Sequence, residues 1–332
     1  MKRKLLLAAL CVVGLLGGRS NAFARTDVTS TYLTDASLSN ESTNWALTSS
    51  GGNHNWNGTY KYHESWHNVF TLSQTITVPN GYYQVSIQAV NSVVSGNAKL
   101  TATSGENTAS AYIRHSSVGG FNEISEWLSG NSPACRIYAT VKVENGSLTV
   151  GFSQTSNAEW IVYGNFILYS LTEAEYNNAI ILQTAIESNN NFWSNDWTNG
   201  GNQYRFARER FNETAYGEGK ILYKTFEDVP KGKYEVTVLA RANVAWRTAA
   251  SGANIAQVYA NDKTYNLTVN DETGYTPTST YNYTLSDVLV SDGNLEIGLQ
   301  NIAAGGNWYT ISLVNLLLTE PYITYTATAI PS

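Results

Sequence analysis

The stretch Leu72-Ser-Gln-Thr-Ile-Thr-Val-Pro-Asn-Gly-Tyr-Tyr-Gln-Val-Ser-Ile-Gln-Ala89 is written a second time as Leu222-Tyr-Lys-Thr-Phe-Glu-Asp-Val-Pro-Lys-Gly-Lys-Tyr-Glu-Val-Thr-Val-Leu-Ala240. Each copy is two alternating runs joined by Pro-x-Gly, where proline fixes φ and glycine accepts a turn conformation, so the pattern predicts an antiparallel hairpin. Period-two alternation then places Tyr83, Val85 and Ile87, and likewise Tyr234, Val236 and Val238, on a core face.

A second motif also recurs. Gly146-Ser-Leu-Thr-Val-Gly-Phe leads to Trp160 and Leu-Thr-Glu173, and Gly293-Asn-Leu-Glu-Ile-Gly-Leu leads to Trp308 and Leu-Thr-Glu320. The two glycine turns follow their Pro-x-Gly partners by 65 residues (81 to 146) and 61 residues (232 to 293), so order and spacing describe a tandem duplication. The expected fold is all-β: two tandem jelly-roll or galactose-binding-like β-sandwiches joined by a short helical linker.

Composition bounds the rest. Lys2, Arg3 and Lys4, an apolar run from Leu5 to Gly17 and Ala22-Phe23-Ala24 have the layout of a secretory signal, with cleavage expected after Ala24. The run is too short to span a bilayer, and Cys11 lies inside it behind Leu10, which argues against a lipid-attachment site. Loss of four basic residues leaves 16 against 26 acidic ones, a net charge near −10, which argues against a nucleic-acid or anionic-membrane partner. Only Cys135 then remains, so the framework is not a disulfide one. Charged residues make up 14% of the chain against 22 Tyr, 9 Trp and 9 Phe, which suits sandwiches with wet loops and not a disordered chain.

The reading therefore divides the chain into a signal (1–24), a first sandwich (25–172), a helical linker (173–191), a second sandwich (192–320) and an extended tail (321–332). Thr172-Glu-Ala-Glu175 has capping-box spacing, and Ala179, Leu182 and Ile186 follow at helical intervals.

Five segments carry a resemblance: Glu64-Ser-Trp66, Ser73-Gln-Thr75, Pro79 to Tyr83, Asn145 to Gly151, and Trp160 with Asn165-Phe-Ile-Leu168. They resemble the repeated galactose-binding-like domains of secreted proteins from Gram-negative gut anaerobes. The second copy departs from the pattern at Tyr223-Lys-Thr225 and Asn315-Leu-Leu-Leu318. The resemblance implies a carbohydrate-binding or adhesive module whose partner is a glycan or cell-surface polysaccharide.

Saccharide recognition asks for an aromatic face against the sugar's C–H groups and polar side chains for its hydroxyls. The loop residues of that kind are His54, Trp56, Asn57, Tyr60 and Tyr62, with Arg114 and Trp127, in the first copy. In the second they are Trp197, Asn199, Tyr204 and Arg205, with Trp246 and Arg247. Trp160 and Trp308, shared by both copies, are expected to be core.

His63-Glu-Ser-Trp-His67 fits a zinc-protease string, but that chemistry needs a helix, and the flanking residues read as strand. A metal-dependent hydrolase at His63 and His67 is thus the weakest alternative; a structural spacer or a module binding other surface proteins is the stronger rival. Glu123 and Glu126 are the one notable loop carboxylate pair, with no spacing that supports glycoside hydrolysis. No cofactor is called for; structural calcium is compatible with such folds, and no dedicated calcium string is present.

Overall fold

The computed structural model describes residues 25–41, 43–58, 62–91, 98–113, 136–188, 197–200, 203–204, 207–211, 216–243, 254–268, 281–305 and 308–321. The signal segment, Cys11, Cys135, the Glu123–Glu126 pair and residues 322–332 of the tail lie outside them.

The first copy contains β1 (Thr26–Asp27), α1 (Thr29–Tyr32), β2 (Ala46–Ser49), β3 (Asn53–Asn57), β4 (Tyr62–Thr77), β5 (Gly81–Asn91), β6 (Lys99–Ser104), β7 (Asn107–Tyr112), β8 (Arg136–Val143) and β9 (Ser147–Leu171). After α2 (Glu173–Ser188) the second copy contains β10 (Gln203–Tyr204), β11 (Ala207–Phe211), β12 (Gly219–Phe226), β13 (Gly232–Asn243), β14 (Asn254–Ala260), β15 (Lys263–Thr268), β16 (Tyr281–Val290), β17 (Leu295–Asn301) and β18 (Trp308–Pro321).

Every strand pair is antiparallel, and the two copies share one pairing diagram. The second copy has a front sheet in the order β10-β11-β18-β13-β16 and a back sheet β12-β17-β14-β15. In the first copy β4 and β9 run through both layers, so its strands form one hydrogen-bonded sheet. The first half of β4 and the second half of β9 build its front layer with β3, β5 and β8; their other halves build the back layer with β2, β6 and β7.

The expected hairpins do not form. β4 and β5 are separated by β9, and β12 and β13 lie in different sheets. Each Pro-x-Gly is instead a corner between the layers, and its polar groups go to other partners. The Val78 N–H donates to the Gly146 carbonyl (3.0 Å) and that of Val229 to Gly293 (2.9 Å), while the hydroxyls of Tyr83 and Tyr234 donate to the Pro79 and Pro230 carbonyls. This clasp between Pro-x-Gly and the late glycine turn explains why the two motifs recur together.

Each copy buries its own apolar cluster between its layers. Tyr83, Val85 and Ile87, and Tyr234, Val236 and Val238, all lie there, as alternation predicted. α2 opens with the expected capping box: the Thr172 N–H donates to Glu175 Oε2 (2.6 Å) and the Glu175 N–H to Thr172 Oγ1 (3.3 Å). It touches both copies, with Tyr176 against Tyr82, Gln183 accepting from the Thr140 N–H, and Leu182 in the second core.

Candidate functional site

The His63 to His67 string lies within β4, where strand alternation sends His63 and Glu64 to opposite faces. His63 points into the first sandwich, fully buried, its Nδ1 2.7 Å from the Tyr163 hydroxyl. Its ring stacks on His54 (centroids 5.1 Å, 16°) and meets Trp56 at 4.3 Å. Burial, with a smaller push from His54, lowers its pKa to about 3. Burial likewise raises Tyr163 well above the usual phenol range. Glu64 faces the other way, so the helical geometry a zinc protease needs is absent from this segment.

On the outer face of the front layer, Trp66 stands opposite Trp160 and Asn53, and Glu64 opposite Val162 and Asn55. The buried Glu64 carboxylate accepts from Trp160 Nε1 at 2.6 Å and from Asn55 Nδ2 at 3.2 Å, which holds both oxygens. Trp66 leans on Trp160 (5.7 Å, 47°) and leaves 41% of its surface to solvent, beside the exposed Asn53 and Asn55.

Farther across this face the lining turns polar. Arg136 Nη1 donates to Ser86 Oγ (2.9 Å) and to the Asn165 carbonyl (3.2 Å), Asn165 Nδ2 donates to Gln88 Oε1 (2.9 Å), and Gln84 Nε2 to Thr140 Oγ1 (2.9 Å). Arg25 donates to Gln84 and lies over the Tyr138 and Tyr169 rings.

In the second copy, pairing aligns Glu209 and Phe211 on β11 with Glu64 and Trp66, because Phe211 faces Trp308 as Trp66 faces Trp160. The row behind differs. Where the first copy has Glu64, Val162 and Val90, the second has Glu209, Thr310 and Arg241. Arg241 is buried, with its guanidinium 5.7 Å from the Trp308 ring centre.

The structure places the residues selected from the sequence in different settings. His54 and Trp56 come together on β3 but face inward, where Trp56 packs on the core. Asn57 lies on the outer face and donates to the buried Tyr62 hydroxyl (3.3 Å), so that ring is not open for stacking. Trp197 is a correction: it is 5% exposed, packs in the second core edge-on to Phe226, and cannot offer a stacking face. Register explains it, since Thr198 bridges Tyr223 as Ala46 pairs with Ser73, which makes Trp197 the counterpart of the core residue Trp45.

Asn199 is exposed in a turn with φ 64°, and Tyr204 sits on β10 opposite Ala207. Tyr60, Arg114, Trp127, Arg205, Trp246 and Arg247 lie outside the described residues. Trp160 is buried, as expected, and Trp308 half-buried, but both lie on the outer face of their front layers and not in the clusters between the layers. Sequence reading also passed over Trp66 as a site residue; alternation against the inward His63 and Ser65 was the available signal.

No protein-family model matches the chain, and no curated protein does. Among solved structures it is similar to TmCBM61 in complex with beta-1,4-galactotriose (17% identity, TM-score 0.28, 39% of this chain and 89% of that one). It is similar to the CBM22-1–CBM22-2 tandem of Paenibacillus barcinonensis Xyn10C (11% identity, TM-score 0.27, 91% of this chain and 99% of that one). The tandem CBM51 modules of Sp3GH98 from Streptococcus pneumoniae are a third (8% identity, TM-score 0.22, 82% of this chain and 100% of that one). Carbohydrate-binding modules are therefore among the structures this chain is similar to.

Proposed function

We propose that the chain is a non-catalytic glycan-binding module of an exported protein, and that the outer face of the first front layer holds a saccharide. The observation that carries this is Trp66. A strand indole left 41% exposed, propped by a second indole and flanked by two exposed amides, gives up burial that a purely structural residue would take. The ring supplies an apolar face for a pyranose, and Asn53 and Asn55 supply donors and acceptors for its hydroxyls. Glu64 fixes Trp160 beneath Trp66, so the platform is organised before any ligand arrives. Trp246 and Arg247, only a few residues beyond the end of β13, remain candidates for the second copy. Affinity gels and calorimetry with a broad set of neutral oligosaccharides test the reading. Trp66→Ala is expected to weaken binding about tenfold or more while the melting curve holds. Silence across the set, or binding indifferent to Trp66, would overturn it.

A further inference from the structure

β3 is five residues long and, among the described residues, pairs with β4 alone. Its two faces meet different surroundings. Asn53 and Asn55 stand exposed on the outer face, opposite Trp66 and Glu64, while His54 and Trp56 turn inward over His63. The inner contact is one of rings: His54 and His63 stack at 5.1 Å, Trp56 meets His63 at 4.3 Å, and Phe70 stands edge-on to both imidazoles. One nitrogen of each imidazole is engaged, His54 Nε2 with Ser49 Oγ (2.9 Å) and Asn68 Nδ2, and His63 Nδ1 with the Tyr163 hydroxyl (2.7 Å). The other two, His54 Nδ1 and His63 Nε2, are shut off from water and have no hydrogen-bond partner among the described residues. An imidazolium donates from both nitrogens, so either ring, once charged, is left with a buried N–H and no acceptor. The titratable groups that face the pair give no relief. Tyr163 stays a neutral phenol because burial raises its pKa, and each imidazole has only the other beside it, so one charge repels the next.

From this geometry we infer that β3 is a proton-operated strap: it lies closed over neutral His54 and His63, opens when they charge, and in opening carries Asn53 and Asn55 away from Trp66. A saccharide on that platform is held at neutral pH and let go in acid. The inference rests on the reading that the Trp66 face binds saccharide, and it adds the regulation of that site. Burial lowers the pKa of both imidazoles, so the opened strand takes up protons first and acid favours opening. From about pH 6.5 downward, each pH unit shifts the balance towards the open strand by up to about tenfold per proton bound. The second sandwich has no such device, because no histidine follows residue 115.

The test follows the full chain from about pH 7.5 to 4.5, by hydrogen exchange read with mass spectrometry and by calorimetry with neutral oligosaccharides. Exchange, corrected for its intrinsic pH dependence, is expected to show residues 53–57 losing protection about tenfold or more as the pH falls, while β5 and the second sandwich stay closed. Affinity for the sugar should drop about tenfold or more over the same range. His63→Gln removes one titrating ring and keeps a polar partner for the Tyr163 hydroxyl; it should lose most of both responses, and His63→Gln with His54→Gln should lose them entirely. Glu64, on the opposite face of β4, is left in place by both, so an acid response of its making would persist in them. Should the variants fail to fold, the exchange profile of the parent decides alone. A β3 that keeps its protection until the whole sandwich opens, an affinity that ignores pH, or a response that survives both substitutions overturns the inference and leaves the saccharide reading standing. If no sugar binds at any pH while residues 53–57 still loosen through His63, the saccharide reading falls and the strap remains.

Discussion

The two sandwiches share a pairing diagram and differ in continuity. In the first, β4 and β9 run unbroken from front layer to back; in the second the same paths are split, β11 from β12 and β17 from β18. A continuous strand keeps its backbone bonded through the crossing, at the cost of a register shift between Asn68 and Phe70. The split path needs side chains to close the gap. Asn301 accepts from the Tyr309 hydroxyl (2.5 Å) and donates to the Tyr216 and Gly217 carbonyls. The polar cargo differs too: the first sandwich encloses a histidine, and the second contains none, since all four histidines of the chain precede residue 116. Shared topology is thus compatible with different inner chemistry, and the two copies can be perturbed separately.

The largest effect should come from the matched core tryptophans. Trp45 packs on Phe166 at 4.7 Å and donates its indole N–H to the Thr34 and Asp35 carbonyls; Trp197 packs edge-on to Phe226. Trp45→Ala and Trp197→Ala are each expected to cost about 3–5 kcal/mol. Hydrogen exchange read by mass spectrometry should show the loss mainly in the mutated sandwich. Equal loss in both would mean that α2 welds the copies into one cooperative unit, and would break the comparison.

Acid comes next. Because the folded pKa of His63 lies near 3 against an ordinary value of 6.5, the unfolded chain binds the extra proton first. The contribution of the neutral ring is present above pH 6.5 and declines as pH falls from there towards 3. The first sandwich should therefore lose on the order of a few kcal/mol across that window, while the second has no histidine to lose. His63→Leu should flatten the difference in acid melts. An acid response that is the same in both sandwiches would remove His63 as its cause.

The repeated late glycines should give a smaller, symmetrical effect. A Cβ on Gly151 would lie 2.8 Å from the Leu72 carbonyl oxygen, and one on Gly298 2.7 Å from Tyr223 Cβ and from the Tyr259 ring. Gly151→Ala and Gly298→Ala are expected to cost about 1–3 kcal/mol each by overpacking, seen as lowered denaturation midpoints. Unequal costs would show that a backbone carbonyl and an aromatic ring yield differently at equivalent positions.

The repeat of Pro-x-Gly and late glycine turn made the duplication and the all-β class legible, because alternation and turn chemistry are local properties of the chain. The hairpin expectation failed because a turn residue reports that the chain reverses, and not which strand inserts beside it; β9 and β18 take that place. Trp197 read as a loop aromatic because its neighbours are Asn- and Gly-rich, and only its register against Tyr223 ties it to Trp45. Trp66 was concealed by the opposite error. Period two assigns it to one face of β4 but cannot say that this face stays uncovered there.

The smallest expected effect on stability is the most telling one. Trp66 and Trp45 are both indoles of the first sandwich, yet one keeps 41% of its surface exposed and the other 4%. Trp66→Ala removes a ring that already leaves 41% of its surface to solvent, so a denaturant melt should move by about 1 kcal/mol. That small cost is what separates a platform from a brace. A loss as large as that for Trp45→Ala would mean that Trp66 chiefly supports Trp160 and the buried Glu64 behind it. The exposed indole would then be scaffold, and recognition would have to be sought along the Arg136 and Gln88 part of the same face.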